Sequence, residues 1–271
     1  MRIALLGAGT ISRLVLERIG ASEVPSVEPC GILARAGSTR AAALARAFSL
    51  PLEESLQRLL TLKPDAVLEA ASHEAVRQHA VPILESGVSL IVLSAGALAE
   101  DALRHRVERA ARASRARLYV PSGGIGGLDA LKAACGAGVD TVSIQVAKPP
   151  AAWKKIPYVE ALGIDLDRLP APRVLFEGMA REGVPHFPQN VNIAAVLSMA
   201  GVGFDRTLLR VVADPTLSRN THTIEVQART GRLTVVLENV PDPDNPKTAL
   251  LACYSALAAL KEAASPVRYG T

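Results

Sequence analysis

A chain of 271 residues with 49% hydrophobic content is long enough for two modest domains with packed cores, and no part of it has the composition of extended disorder. Aromatic residues make up only 3%, so the core must be built from Ala, Val, Leu and Ile, a mix that suits parallel strands under Ala-rich helices. The net charge of +4 comes with arginines scattered along helices (Arg40, Arg46, Arg58, Arg104, Arg106, Arg109, Arg112), with no basic run and no interleaved aromatics; this argues against nucleic acid and suits anionic small molecules.

The first 121 residues alternate short apolar runs with helical patterns. Ile3 to Leu6 reads as a buried strand, after which Ile11, Leu14, Val15 and Ile19 recur at helical spacing. A second strand fits Val27 to Leu33, followed by an Ala-rich helix through Phe48. Pro64-Asp65 leads into a third strand, Ala66 to Ala70, and a helix from Glu74 to Glu85. Strand Val88 to Leu93, helix Asp101 to Ser114 and strand Arg117 to Val120 complete the series. Alternation of this kind implies right-handed crossovers and a doubly wound parallel sheet of Rossmann type.

From about Val139 the pattern changes. Val142, Ile144 and Val146 alternate with polar residues, as do Ile224, Val226 and Ala228, and Leu233, Val235 and Leu237 repeat this after a Gly231-Arg232 turn. Period-two alternation predicts half-buried, mainly antiparallel strands in a second, α+β domain. One helix, Asn192 to Met199, interrupts them. Residues 246–271 should form a helix capped by Asn245, with Pro246 in its first turn, that returns to the first domain. The expected division is therefore 1–121, 122–245 and 246–271.

The first strand runs directly into Gly7-Ala8-Gly9-Thr10-Ile11-Ser12. Gly7 permits a tight turn, Gly9 lets backbone approach a pyrophosphate, and the helix start at Thr10 and Ile11 offers free N–H groups. Ser12 stands where a third glycine is usual. After the second strand no acidic residue is available for a ribose 2′-hydroxyl; Arg35, Ser38 and Arg40 stand there instead, either to receive a 2′-phosphate or as ordinary surface residues. Ser94 and Ala95 follow the fourth strand, and Ser122 to Gly127 carries four glycines, for close approach to a nicotinamide or for a hinge. The cofactor contacts expected in this domain are Gly7, Gly9, Thr10, Ile11, Arg35, Ser94 and Ala95.

Five histidines are present. His73 follows the third strand, His79 and His105 lie in polar helical stretches, and His186 sits in a loop. His222 shares its face with Ile224 and Val226, as a core histidine would. Cys30, Cys135 and Cys253 form no CxxC pair, so neither a disulfide framework nor a metal site is expected. No apolar run approaches the ~20 residues of a membrane helix. MRIALLGAG turns into a glycine loop too early for a signal peptide, so no membrane and a cytoplasmic location are expected.

Taken in order, LLGAGTIS, PSGGIGGLDAL, KPP, FPQNVNIAA, VVADP…NTH and NPKTALL resemble the L-aspartate dehydrogenase family over essentially the whole chain. The resemblance implies oxidation of L-aspartate to iminoaspartate with NAD or NADP, hydrolysis to oxaloacetate and ammonia, a role in nicotinamide cofactor biosynthesis, and a homodimer. It also implies that His222 of Asn220-Thr221-His222 is catalytic and that Gly124 and Asn190 contact the cofactor. Lys148, Asn190 to Asn192 and Lys247 are the candidates for the substrate carboxylates. Two readings compete: a dehydrogenase for another small anionic substrate, and a dinucleotide sensor without turnover.

Overall fold

Buried Ile3, Ala4 and Leu5 make β1 (Arg2–Leu6) a central strand, because both of its faces need apolar cover. The computed structural model describes residues 1–188, 190–240, 242 and 249–269. In chain order the first unit continues with α1 (Thr10–Gly20), β2 (Glu28–Leu33), α2 (Thr39–Ala47), β3 (Leu52–Glu53), α3 (Leu56–Thr61) and β4 (Ala66–Glu69). It then adds α4 (His73–Glu85), β5 (Ser89–Val92), α5 (Asp101–Ser114) and β6 (Leu118–Tyr119).

The six strands stand in the order β3-β2-β1-β4-β5-β6, all parallel. This is the expected doubly wound sheet. Strand order reverses between β1 and β4, where Leu6 is paired with Glu69, and open α/β sheets bind ligands at the carboxyl ends flanking such a point. Serine caps start three of the helices: Ser38, Ser55 and Ser72 accept from the amides of Ala41, Arg58 and Ala75. The short β3–α3 segment was not anticipated, since two residues of strand carry no readable period.

The second unit spans residues 122–252. It contains α6 (Leu128–Ala137), β7 (Val139–Lys148), α7 (Pro157–Ala161), β8 (Arg173–Met179), α8 (Ala180–Gly183), α9 (Asn192–Ala200), β9 (Thr207–Ala213), β10 (Asn220–Ala228) and β11 (Gly231–Asn239). The sheet order is β11-β10-β7-β9-β8; every pairing is antiparallel except β7 with β9. α6 and α9 pack on each other and against β10 and β9. On the exposed side chains of this sheet Met179, Leu208 and Val236 remain open to solvent.

More helix is present here than the single stretch expected from sequence. α6 starts after Gly127 without a side-chain cap and buries only Leu131 and Ala134, so it lacks both a start signal and a clear apolar stripe. β9 ends in Val211, Val212 and Ala213, buried on both faces, which hides its alternation, and β8 changes register between Val174 and Phe176.

The last helix, α10 (Leu250–Ala264), enters the first unit at Cys253. Its Cys253, Ala256, Leu257 and Leu260 join a core with Ile3, Leu5, Leu16, Ile32 and Leu68. The helix start expected at Asn245-Pro246-Lys247, and with it Lys247 as a carboxylate partner, lies outside the described residues.

Candidate active site

Gly7 ends β1 with φ +104°, a conformation L side chains rarely adopt. A Cβ there would lie 2.8 Å from Ala71 Cβ and 2.9 Å from the Ala70 carbonyl, so the turn can be built only from glycine. Gly9 caps α1 without any side-chain hydrogen bond, and the first turn holds no acidic residue. Unlike the helices capped by Ser38, Ser55 and Ser72, α1 therefore presents its first amides, including those of Thr10 and Ile11, without a side-chain acceptor. Ser12, fully buried, donates its hydroxyl to the Gly7 carbonyl at 2.9 Å and so braces the turn from inside. A glycine cradle too tight for a Cβ, leading to an uncapped and uncharged helix start, fits a dinucleotide pyrophosphate.

At the end of β2, Arg35 and Arg40 are exposed, while Ser38 is the cap of α2. A carboxylate also reaches this loop, contrary to the reading from sequence: Glu54, just past β3, accepts from the Gly37 amide at 3.3 Å. It comes from the neighbouring strand, and so was invisible to a search of the loop itself. Its companion Glu53 pairs with Arg58 at 2.9 Å.

Ser94 and Ala95 follow β5, and Ser94 is held in place by a residue that sequence reading passed over. Glu69, the last residue of β4, is 0% exposed. It accepts from the Ser94 amide at 2.9 Å and hydroxyl at 2.8 Å, and from the amides of Ala71 at 2.8 Å and Ser72 at 3.0 Å. Burial raises its pKa, against the lowering effect of these four donors. The signal for it was a charge inside the apolar run Ala66-Val67-Leu68-Glu69. His73 opens α4 and is half-buried, His79 is half-buried on the same helix, and His105 and His186 are exposed.

In the second unit, β10 alternates inward at Asn220, His222, Ile224 and Val226. His222 is 4% exposed and stands opposite Val146 of β7 and Leu237 of β11. Its Nδ1 lies 3.1 Å from the Gly124 carbonyl. A carbonyl can only accept, so this contact assigns the ring proton to Nδ1; Asn239 Nδ2, 3.1 Å from the same nitrogen, would pair with it only in the other tautomer. Asn239, the last inward residue of β11, donates through Nδ2 to the same carbonyl at 2.9 Å. A Cβ on Gly124 would meet His222 Cε1 at 3.5 Å and Asn239 Nδ2 at 3.6 Å, ordinary contacts, so an alanine fits here and glycine is not obligatory.

This leaves His222 Nε2 buried with no hydrogen-bond partner among the described residues. Burial, and then the neighbouring charge of Lys148, push the imidazole down to about 4, while the Gly124 hydrogen bond pulls the other way. His222 is accordingly a neutral base over the whole physiological range, with its free lone pair on Nε2.

Lys148 closes β7 and is 3% exposed. Its Nζ donates to the Asn190 carbonyl at 3.3 Å and Oδ1 at 3.1 Å, and sits 5.3 Å from the centre of the Trp153 ring. Trp153 is itself fixed by donating to the Val212 carbonyl at 3.0 Å and by an edge contact with Phe187. The unit thus gathers His222, Gly124 and Asn239 on one side and Lys148 and Asn190 on the other, coupled by the Lys148 charge felt at His222. Sequence reading named His222, Gly124, Lys148 and Asn190; it missed Asn239, whose signal was a polar side chain continuing the inward parity of Leu233, Val235 and Leu237. Among the described residues no His, Cys, Asp or Glu cluster could hold a metal ion, and no helix is long and apolar enough to cross a membrane.

Residues 129–263 match the family model described as aspartate dehydrogenase, C-terminal, and residues 7–121 match that of the homoserine dehydrogenase NAD binding domain. An L-aspartate dehydrogenase of Methanosarcina mazei is 39% identical over 273 residues, 100% of both chains. That of Methanosarcina barkeri is 46% identical over 223 residues, covering 82% of this chain and 80% of the relative. Among solved structures, the aspartate dehydrogenase of Thermotoga maritima superposes with a TM-score of 0.76 at 28% identity, covering 100% of this chain and 99% of the other.

Proposed function

The chain belongs to the aspartate dehydrogenase family, and from that premise we propose that it oxidises L-aspartate to iminoaspartate with NAD or NADP, the product hydrolysing to oxaloacetate and ammonia. The observation that carries the catalytic assignment is the buried, unpartnered Nε2 of a neutral His222.

Aspartate arrives as an ammonium, which cannot release a hydride from its α-carbon until it loses a proton. His222 Nε2 takes that proton, and the Nδ1–H bond to the Gly124 carbonyl steadies the imidazolium that forms. NAD or NADP, when bound, would supply the hydride acceptor for the α-carbon. Water then adds to the iminium carbon and the nitrogen leaves as ammonium with both of the water's protons, while the proton held on Nε2 passes to solvent and restores the neutral base. Gly7, Gly9 and the amides of Thr10 and Ile11 would hold the pyrophosphate, and Arg35, Ser94, Ala95, Gly124 and Asn190 would be the further cofactor contacts.

Lys148 receives one substrate carboxylate. A carboxylate on Lys148 also offsets the charge that depresses His222, so substrate binding itself raises the basicity of Nε2. The reaction feeds nicotinamide cofactor biosynthesis in the cytoplasm. The protein acts as a homodimer, with the sheet side chains Met179, Leu208 and Val236 offered to the second copy.

The test is the absorbance of reduced nicotinamide in both directions, with L-aspartate and NAD or NADP, and with oxaloacetate, ammonia and NADH or NADPH. Turnover in both directions is expected. A chain that binds dinucleotide but is silent in both assays refutes the reading.

A further inference from the structure

An ionised side chain buried at the end of an apolar central strand is expensive unless every lone pair is answered. Glu69 is such a group. Its neighbours on β4, Ala66, Val67 and Leu68, are 1%, 0% and 0% exposed, as is Glu69 itself at 0%. Three backbone amides and one hydroxyl donate to it. A carboxylate, which only accepts, matches that set; an amide would turn its NH2 toward an N–H.

The partners fall on two separate segments. Ala71 and Ser72 form the turn into α4, with Ser72 as its cap, and Ser94 precedes the short helical turn Ala95–Ala99 after β5. One side chain therefore ties together the exits of two adjacent strands. A third segment is tied indirectly: the Gly7 turn lies against Ala70 and Ala71, so closely that a Cβ would be 2.8 Å from Ala71 Cβ. Glu69 is also paired in register with Leu6, the residue before Gly7, at the point where strand order reverses.

We propose that Glu69 is a positioning residue for the dinucleotide, whose four hydrogen bonds hold the 71–72 turn, Ser94 and, through Ala70 and Ala71, the Gly7 turn in binding geometry before the cofactor arrives. Preorganisation of this kind acts on affinity, because the ordering cost is met during folding and not on binding. It leaves the substrate machinery of the second unit untouched. The inference rests on the reading above only in taking the ligand to be NAD or NADP.

The experiment compares the full chain with Glu69→Gln and Glu69→Asp, titrating NADH and NADPH by their fluorescence and measuring aspartate kinetics at saturating dinucleotide. Glu69→Gln places an NH2 against at least one donor, and the dinucleotide Kd should rise about tenfold or more. Glu69→Asp keeps the charge and all acceptor sites on a shorter arm, and should lie between Glu69→Gln and the parent. KM for aspartate should move less than about twofold in either variant, a split that general loosening of the fold would not produce. An unchanged dinucleotide Kd in either folded variant, or an equal rise in the aspartate KM, overturns the proposal. A parent chain that binds NADPH yet fails to oxidise aspartate refutes the activity while leaving this titration valid.

Discussion

Asn239 Nδ2 and His222 Nδ1 lie 3.1 Å apart, both turned on the carbonyl of Gly124. The Gly124 carbonyl accepts from Asn239 Nδ2 and anchors the Nδ1 side of the His222 ring, while Nε2 is left buried without a hydrogen bond.

Asn239→Ala should therefore slow turnover without weakening dinucleotide binding. Loss of one hydrogen bond in a buried polar group corresponds to about 1–3 kcal/mol, or roughly 5- to 100-fold in kcat. A fall in affinity with kcat intact would show that Asn239 serves the cofactor instead.

His222→Ala should lower turnover by a factor on the order of 10²–10⁴, as expected for loss of a general acid–base. Dinucleotide affinity should survive, since the glycine cradle belongs to the other unit. Intact turnover would remove His222 from the mechanism.

The depressed basicity of His222 also bears on stability. The unfolded chain binds a proton at 6.5, whereas folded His222 binds it only at about 4. Its contribution is thus fully present above pH 6.5 and is lost as pH falls from there through about 4, a total of about 3 kcal/mol. Urea unfolding of the parent and of His222→Asn, which cannot titrate, measures the difference. Parallel stability–pH curves would contradict the neutral, desolvated state of the ring.

Cofactor choice turns on opposed charges at the β2 exit. Arg35 and Arg40 should favour a 2′-phosphate, and Glu54, which accepts from the Gly37 amide, should disfavour it. Arg35→Ala should weaken NADP by roughly 1–3 kcal/mol with little effect on NAD, and Glu54→Gln should shift preference toward NADP. Equal changes for both cofactors would show that neither side chain reaches the 2′ group.

How far all this was legible in the sequence depends on range. Ile3 to Leu6 running into Gly7 and Gly9 marks strand, turn and helix within a dozen residues, so the parallel sheet was readable. The inward parity of His222 was readable too, but parity alone describes a core histidine equally well. What supports the catalytic reading is the unpartnered Nε2 together with the Gly124 carbonyl at Nδ1, a contact made across 98 residues of chain. Glu54 and Asn239 act the same way, on loops and rings that only strand pairing brings near. Helix α6 escaped for a local reason, since an uncapped Ala- and Gly-rich stretch carries no start signal.

Selectivity among amino acids follows from the need to seat two carboxylates. A shorter substrate leaves donors unpaired at about 1–3 kcal/mol each, and glutamate adds a methylene that fixed anchors cannot follow. L-Aspartate should lead a kcat/KM ranking, with L-glutamate far behind and L-alanine and D-aspartate near zero. Glutamate or alanine in first place would keep a dehydrogenase and discard the aspartate assignment.

Helix α10 gives the polypeptide an awkward order of assembly. Cys253, Ala256, Leu257 and Leu260 complete the same core as Ile3 and Leu5, yet the ribosome makes them after the whole of the second unit. A nascent chain that has reached Pro121 has all six strands of its sheet, but the α10 side of that core is still bare. Until α10 has been made, this surface is open to chaperones, and to other nascent chains in the same condition.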